Sequence, residues 1–150
     1  MKALHLASEH LDKLDNRKEA ADIVSRPTYI NCPPEIILER LMGKYNYGDG
    51  RSEQDPNYMI FSERNCNYPH AIYGTWWLTQ FRRWGMVKGA PDYKGIVKRV
   101  MRSDIYLEAM KELGVNTKIA EEQKVTLFDS TLDAADPEKY ATSFAINSLS

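Results

Sequence analysis

Apolar residues recur every three or four positions along most of the chain, which is the spacing of amphipathic helices. Near the start, Leu4, Ala7, Leu11 and Leu14 predict a helix over residues 2–14. No capping residue precedes this helix, which is interpreted either as a frayed terminal helix or as a chain that begins partway into a larger body. Comparable spacing and stop signals predict six more helices, at residues 16–26, 33–43, 74–84, 92–101, 103–114 and 136–144.

Polar residues set the expected starts of several of these helices. Asn16 and Glu19 have the spacing of a capping box, in which two side chains satisfy backbone donors reciprocally. Single caps are expected at Asp92, at Ser103 and at Asp136, which precedes a proline suited to the first helical turn.

Two stretches favour extended backbone. Residues 29–32 follow a helix stop, and residues 124–128 alternate like a short strand. Residues 44–72 are rich in glycine, asparagine and proline and predict a long irregular loop, anchored by apolar residues 58–61. We therefore expect one mostly α domain over residues 1–150, partial rather than complete, with one or two short strands.

Three tryptophans lie in the helix predicted over residues 74–84. Trp77 and Trp84 share a face with Leu78 and Phe81, and they are interpreted as core anchors because each indole buries a large apolar area. Trp76 points elsewhere and is interpreted either as core or as the wall of a cleft.

The composition is that of an ordinary globular domain. The 150 residues carry 20 Lys and Arg against 21 Asp and Glu, so the net charge of -1 indicates no polyanionic partner. No apolar run approaches the roughly 18 residues of a membrane-spanning helix, and the first residues do not resemble a secretion signal. Cys32 and Cys66 are too few for a disulfide scaffold and are expected to be free thiols.

Motifs of catalysis and metal binding are missing from the sequence. It contains neither a Gly-x-Ser-x-Gly elbow nor a glycine-rich phosphate loop. His5 and Glu9 can share a helix face, but two ligands do not make a metal site. Asp49, Glu53 and Asp55 miss the calcium-loop pattern and are interpreted as solvated turn residues. We expect no enzyme activity, no cofactor and no bound metal.

The stretch from residue 80 to 102 is strongly basic. It holds seven cations against one acid, and Lys94, Lys98 and Arg102 repeat every four residues on one helix face. One interpretation is a nucleic-acid footprint, whose affinity falls steeply with salt. The other, favoured by the near-zero net charge, is a solvated helix face with counter-charges from other elements.

A group of motifs resembles the nitrate/nitrite/bicarbonate-binding protein family. In residues 68–85 the aromatic-proline pair, Trp76, the Leu-Thr-Gln triplet at 78–80 and the Arg-Trp-Gly triplet at 83–85 match the family pattern at the same spacing. His70 stands where the family has Trp, and Tyr73 where it has His. Further similar segments, in the expected order, are residues 15–17, 26–27, 31–33, 44–50, 104–106 and 136–140.

The resemblance implies a two-lobed α/β periplasmic-binding-protein fold of type II, of which this chain is the C-terminal portion. It implies the substrate-binding component of an ABC importer, with nitrate, nitrite or bicarbonate as ligand and the importer's permease as partner. Most anion ligands would lie upstream of Met1, so we assign no binding or catalytic residue within the chain. The full-length protein would be periplasmic or membrane-associated.

Three alternatives stay open at this point. A cytosolic nitrate sensor of the same family, controlling an RNA-binding regulator, would have the same fold in the cytoplasm. A regulatory domain fused to, or split from, a transporter ATPase would carry a Walker motif upstream. A small nucleic-acid-binding module would use the basic stretch at 82–102, although we expect no nucleic-acid partner.

Overall fold

The chain divides into two compact units in a computed structural model, which describes residues 1–127 and 130–143. Unit 1 comprises residues 1–67 and unit 2 comprises residues 68–150. The assignment of residues 1–150 to one partial domain stays a prediction. Phe128 and Phe144, which the sequence assigns to the last strand and the last helix, lie outside the described residues.

Unit 1 is built from three helices and one short hairpin. The helices are α1 (Lys2–Asp12), α2 (Arg17–Val24) and α3 (Pro34–Leu41), and a 3-10 turn at Leu14–Asn16 joins the first two. Strands β1 (Lys44–Asn46) and β2 (Ser52–Gln54) pair antiparallel, with Tyr45 opposite Glu53. The apolar periodicity therefore located all three helices of this unit.

The hairpin corrects the expectation of an irregular loop at residues 44–72. Gly43 precedes it with φ of 72°, and a Cβ there would lie 2.1 Å from the carbonyl oxygen of Asp55. That carbonyl belongs to the chain leaving β2, whose Asp55 amide donates to the Gly43 carbonyl at 2.9 Å. Glycine is required here because any other residue would collide with this backbone.

Two local predictions in unit 1 are wrong. Asn16 occupies the position before α2 but makes no capping bond, because its amide donates to the His10 carbonyl at 2.8 Å instead. Residues 29–32 are turned rather than extended. The Ile30 amide donates to the carbonyl of Val24, the last residue of α2, and the Asn31 amide donates to that of Arg26, just beyond the helix.

Unit 2 contains four helices and a second hairpin among its described residues. The helices are α4 (Ala71–Arg83), α5 (Tyr93–Val100), α6 (Ser103–Glu112) and α7 (Pro137–Thr142). Strands β3 (Lys124–Leu127) and β4 (Ser130–Asp133) pair antiparallel. The mostly α class is confirmed, although the described residues hold four short strands rather than one or two.

The helix caps of unit 2 follow the sequence in two cases and depart from it in one. Asp92 accepts from the Gly95 amide at 2.9 Å, and Asp136 accepts from the Lys139 amide at 3.3 Å. Ser103 is instead the first residue of α6, and Arg102 precedes it without a capping bond. The arginine side chain turns to Asp104, so this helix start is stabilised by a charge pair rather than a hydroxyl cap.

Two apolar clusters form the core of unit 2. In one, Ile72 of α4 packs with Leu132 of β4 and Tyr140 of α7. In the other, Tyr68 packs with Tyr106 and Met110 of α6. The first cluster joins helix α4 to the second hairpin and to α7, and the second joins the entry to α4 to α6.

The expectation for Trp77 and Trp84 is wrong, whereas one of the two interpretations of Trp76 is confirmed. Trp77 is 50% exposed and Trp84 is 56% exposed, so neither is a core anchor in this chain. Trp76 is partly buried and packs against the cluster of Ile72, Leu132 and Tyr140. Helix α4 has two apolar faces, and helical spacing alone does not say which of them is covered.

Candidate functional site

A cleft with a volume of about 920 Å³ lies within unit 2. Thr75 of α4 and Val97 of α5 contribute to its walls, and the residues around Ala135 at the start of α7 line another side. Its volume falls in the range of about 300–1,000 Å³ that is typical of small-molecule sites. Unit 2 therefore holds a recess large enough for a small ligand.

Three cations of the basic stretch line this cleft. Lys94, Lys98 and Arg102 follow one another at intervals of four residues, so helix α5 and its end direct them to one side. Lys94 and Lys98 have no ion pair among the residues that the structure describes. Two primary ammonium groups without counter-charges favour anionic ligands.

Arg102 is less available than the two lysines. Its Nε and Nη2 donate to the two carboxylate oxygens of Asp104 at 2.9 and 2.7 Å. These hydrogen bonds lower the pKa of Asp104 to about 2, so the pair stays ionised at neutral pH. The arginine charge is therefore largely cancelled beside the cleft.

Other cations of the stretch are engaged elsewhere. Arg82 Nε donates to Glu138 at 3.1 Å, and Arg83 donates to Gln80 at 2.8 Å. Tyr93 also donates its hydroxyl to Glu138, at 2.8 Å. Burial and this carboxylate raise the Tyr93 pKa. Arg82 and Arg102 are thus paired with carboxylates, and this partial pairing favours the interpretation of a solvated helix surface over a nucleic-acid footprint.

The metal-ligand candidates are dispersed in the structure. His5 Nε2 lies 3.5 Å from Glu9 Oε1, but the histidine is buried while the glutamate is exposed. Asp49 pairs with Arg51 at 2.8 Å, and Asp55 accepts from the Asn57 amide at 2.8 Å, as turn residues do. Within residues 1–127 and 130–143, no three metal-ligating side chains converge.

The two cysteines and His70 lie in surroundings that indicate structural rather than catalytic roles. Cys32 and Cys66 are both free, as expected. Burial, together with the charge of Asp12, raises the pKa of the Cys66 thiol, which makes it a poor nucleophile. His70 is buried and contacts the rings of Tyr68 and Tyr73, with centroids 4.8 and 5.3 Å away.

Two charged residues that the sequence did not single out organise unit 1. Arg17 is only 4% exposed and donates to the carbonyls of Leu11, Leu41 and Met59. Asp12 accepts hydrogen bonds from three successive backbone amides, those of residues 61–63. Arg17 and Asp12 thus join the helices of unit 1 to residues 59–63. Their partners are backbone groups, which carry no signal in the sequence.

Among the described residues, no helix is long and apolar enough to cross a bilayer.

Asp12 has an electrostatic role in unit 1 rather than an acid-base role. Burial raises its pKa, but hydrogen bonds from the Ser62 hydroxyl and from the amides of Phe61, Ser62 and Glu63 outweigh this, so the pKa of the carboxyl lies below 3.8. An ionised carboxylate with four donors is well satisfied and is not poised to take a proton.

Comparisons with known proteins agree with one another. The chain is 33% identical to the nitrate/nitrite binding protein NrtA of Nostoc sp., over 95% of this chain and 34% of the relative. It is 32% identical to the nitrate import ATP-binding protein NrtC of Synechocystis sp., over 98% of this chain and 22% of the relative. No protein-family model matches the sequence.

A solved structure extends these similarities to the fold. The crystal structure of the periplasmic nitrate-binding protein NrtA from Synechocystis superposes with a TM-score of 0.87 and 31% identity. The match covers 97% of this chain and 40% of that structure. The chain therefore spans about a third of the length of the curated NrtA relative and has the fold of a part of the solved one.

Proposed function

We propose that this chain, a homologue of the nitrate/nitrite-binding protein NrtA, forms part of the substrate-binding component of an ABC importer. Its ligand would be nitrate or a related small oxyanion, nitrite or bicarbonate, and its partner would be the importer's permease. The observation that carries the proposal is the joint match of sequence and fold, at 31% identity and a TM-score of 0.87 over 97% of the chain.

The proposed role is to bind and deliver an anion rather than to convert it. The relative with the solved structure is named as a nitrate-binding protein, and it is also named as periplasmic. That name supports a periplasmic or membrane-associated location over a cytosolic sensor. We further propose that this chain corresponds to the C-terminal portion of the fold, and that the direct anion ligands are contributed mainly by residues outside it.

A chimera tests the proposal directly. In Synechocystis NrtA, the segment that matches this chain is replaced by these 150 residues. The control is the same protein with the segment deleted. We expect the chimera to show saturable, competitive binding of nitrate, nitrite or bicarbonate in calorimetric titrations, and the deletion variant to show none.

Several results would contradict the proposal. If the chimera folds, as judged by circular dichroism and gel filtration, but binds none of the three anions, the chain does not support a substrate-binding cleft. If the chimera binds sulfate and chloride as tightly as nitrate, nitrite or bicarbonate, its cationic side chains attract anions in general and do not form a site specific for these oxyanions.

A second candidate function is a module attached to the ATPase of an importer. This chain matches not only NrtA but also the ATP-binding protein NrtC, and the match with NrtC covers 98% of this chain. Both relatives therefore contain a segment that is similar to this chain. If these residues replace the matching segment of Synechocystis NrtC, ATP hydrolysis should still respond to nitrate. A response that native NrtC shows and the folded chimera lacks would contradict this second candidate.

A further inference from the structure

An exposed row of aromatic rings runs along helix α4. We call it the aromatic stripe and define it as Tyr73, Trp77, Phe81 and Trp84. Their spacings of four, four and three residues place them on one side of the helix. Tyr73, Trp77 and Trp84 are 46%, 50% and 56% exposed, and Phe81 is half-buried.

Three of the four rings of the stripe contact one another, whereas the ring of Tyr73 contacts that of His70 at the start of the helix. The Trp77 and Phe81 centroids lie 6.1 Å apart, and those of Phe81 and Trp84 lie 6.2 Å apart. Met86, just beyond the helix, is 69% exposed. Trp77, Phe81 and Trp84 therefore form a continuous apolar surface of about two helical turns, and Tyr73 lies one turn before them on the same side of the helix.

The other sides of α4 are already covered. At Gly74, a Cβ would lie 2.7 Å from Met101 and 3.4 Å from Val97, so α5 approaches α4 closely there. Ile72 is 1% exposed in the cluster that joins α4 to α7 and β4. The stripe is thus the face of this helix for which unit 2 provides no cover among its described residues.

The solved NrtA contains polypeptide that has no counterpart in this chain. The solved NrtA shares the fold of this chain, yet 60% of that structure has no counterpart here, since the match covers 40% of it. Tryptophan is the residue that most often anchors interfaces when it is buried. A homologue that shares this fold but spans only part of it will expose faces that the rest of the fold would otherwise bury.

We propose that the aromatic stripe is the docking face for a polypeptide with the fold of that unmatched part of NrtA. The inference rests on the proposed function, because it takes the chain to be one portion of a binding protein. It adds the residues that join this portion to the rest. Burial of the indoles of Trp77 and Trp84 would supply the main apolar contact of that junction.

The test uses purified partners. This 150-residue chain is titrated with a polypeptide made of the part of Synechocystis NrtA that it does not match. We expect a 1:1 complex in gel filtration with light scattering. Trp77→Ser and Trp84→Ser should each raise the dissociation constant at least about thirtyfold. Tyr29→Ser, at a 64% exposed aromatic residue of unit 1, is the matched control and should leave the dissociation constant unchanged.

A second measurement covers the case in which the partner does not fold alone. Hydroxyl-radical footprinting compares the isolated chain with the NrtA chimera described above. Trp77 and Trp84 should lose most of their labelling in the chimera, whereas Tyr29 should keep it. Undiminished labelling of both tryptophans in a folded chimera would overturn the proposal, as would a homodimer of the free chain that the Trp77→Ser variant abolishes.

The docking face and the proposed function fail in different ways. Protection of both tryptophans in a chimera that binds no nitrate, nitrite or bicarbonate would leave the docking face standing and contradict the function. Anion binding by a chimera in which both tryptophans stay labelled would do the reverse.

Discussion

Units 1 and 2 are stabilised by different kinds of contact. In residues 1–67, all of which the structure describes, Ala21 is the one apolar side chain that is fully buried. The buried groups beside it are polar, namely His5 and Arg17. Unit 2 instead contains two apolar clusters centred on Leu132 and Met110.

This difference predicts where each unit is vulnerable. Hydrogen bonds from a charged group to buried carbonyls are directional, and loss of the donor leaves several acceptors unpaired at once. Apolar packing is distributed over many contacts, and its loss scales with the volume removed. Unit 1 should therefore depend on single polar residues, and unit 2 on the fit of its apolar side chains.

The largest expected effect comes from Arg17. Arg17→Met removes the donors to the Leu11, Leu41 and Met59 carbonyls and should destabilise unit 1 by about 3–5 kcal/mol. Hydrogen exchange should show lost protection at amides of residues 1–67, with unit 2 unchanged. Arg17→Lys should rescue little, because an ammonium group does not reproduce the planar fork of donors.

Arg26→Met is the matched control for this prediction, because Arg26 is an exposed arginine of the same unit. It should change the free energy of unfolding by less than about 0.5 kcal/mol. If the two methionine variants behave alike, polar contacts do not distinguish unit 1 in the way we describe.

The next effect is expected in the apolar core of unit 2. Leu132 is 0% exposed, and Leu132→Ala should cost about 3 kcal/mol through lost burial and the cavity left behind. Leu6, 53% exposed on α1, provides the control, and Leu6→Ala should cost less than about 0.5 kcal/mol. Urea unfolding followed by hydrogen exchange would assign the loss to unit 2, and similar costs for both variants would contradict the prediction.

The smallest effect depends on pH. Because its pKa in the folded chain is lowered below 3.8, Asp12 stabilises unit 1 above that pH and loses this contribution as the pH falls through the folded value. Asp12→Asn should therefore cost about 1 kcal/mol near pH 7, discounted for partial exposure, and almost nothing near pH 2. Urea midpoints at the two pH values measure this difference.

Asp22→Asn, at an exposed acid of α2, is the control for the pH experiment and should show no comparable dependence. A cost for Asp12→Asn that is as large near pH 2 as near pH 7 would mean that the carboxylate charge is not what the three amides require.

The sequence predicted the helices and their caps better than it predicted contacts between residues that are distant in the chain. Asp92 and Asp136 cap their helices as expected, because a cap depends on amides two or three residues away. Asn16 fails as a cap because the His10 carbonyl, from the preceding helix, competes for its side chain. The candidate cleft also escaped prediction, since its walls come from α4, α5 and the start of α7, far apart in the chain.

The helices, their approximate ends and the resemblance to nitrate-binding proteins were predictable, because each of these depends on nearby residues or on a linear pattern of side chains. Long-range packing was not predictable: it buries Arg17 against three carbonyls, brings Trp76 rather than Trp77 into the core, and leaves one face of α4 uncovered by residues 1–127 and 130–143. Periodicity shows that a helix has an apolar face, but coverage of that face is a property of the elements that reach it in space.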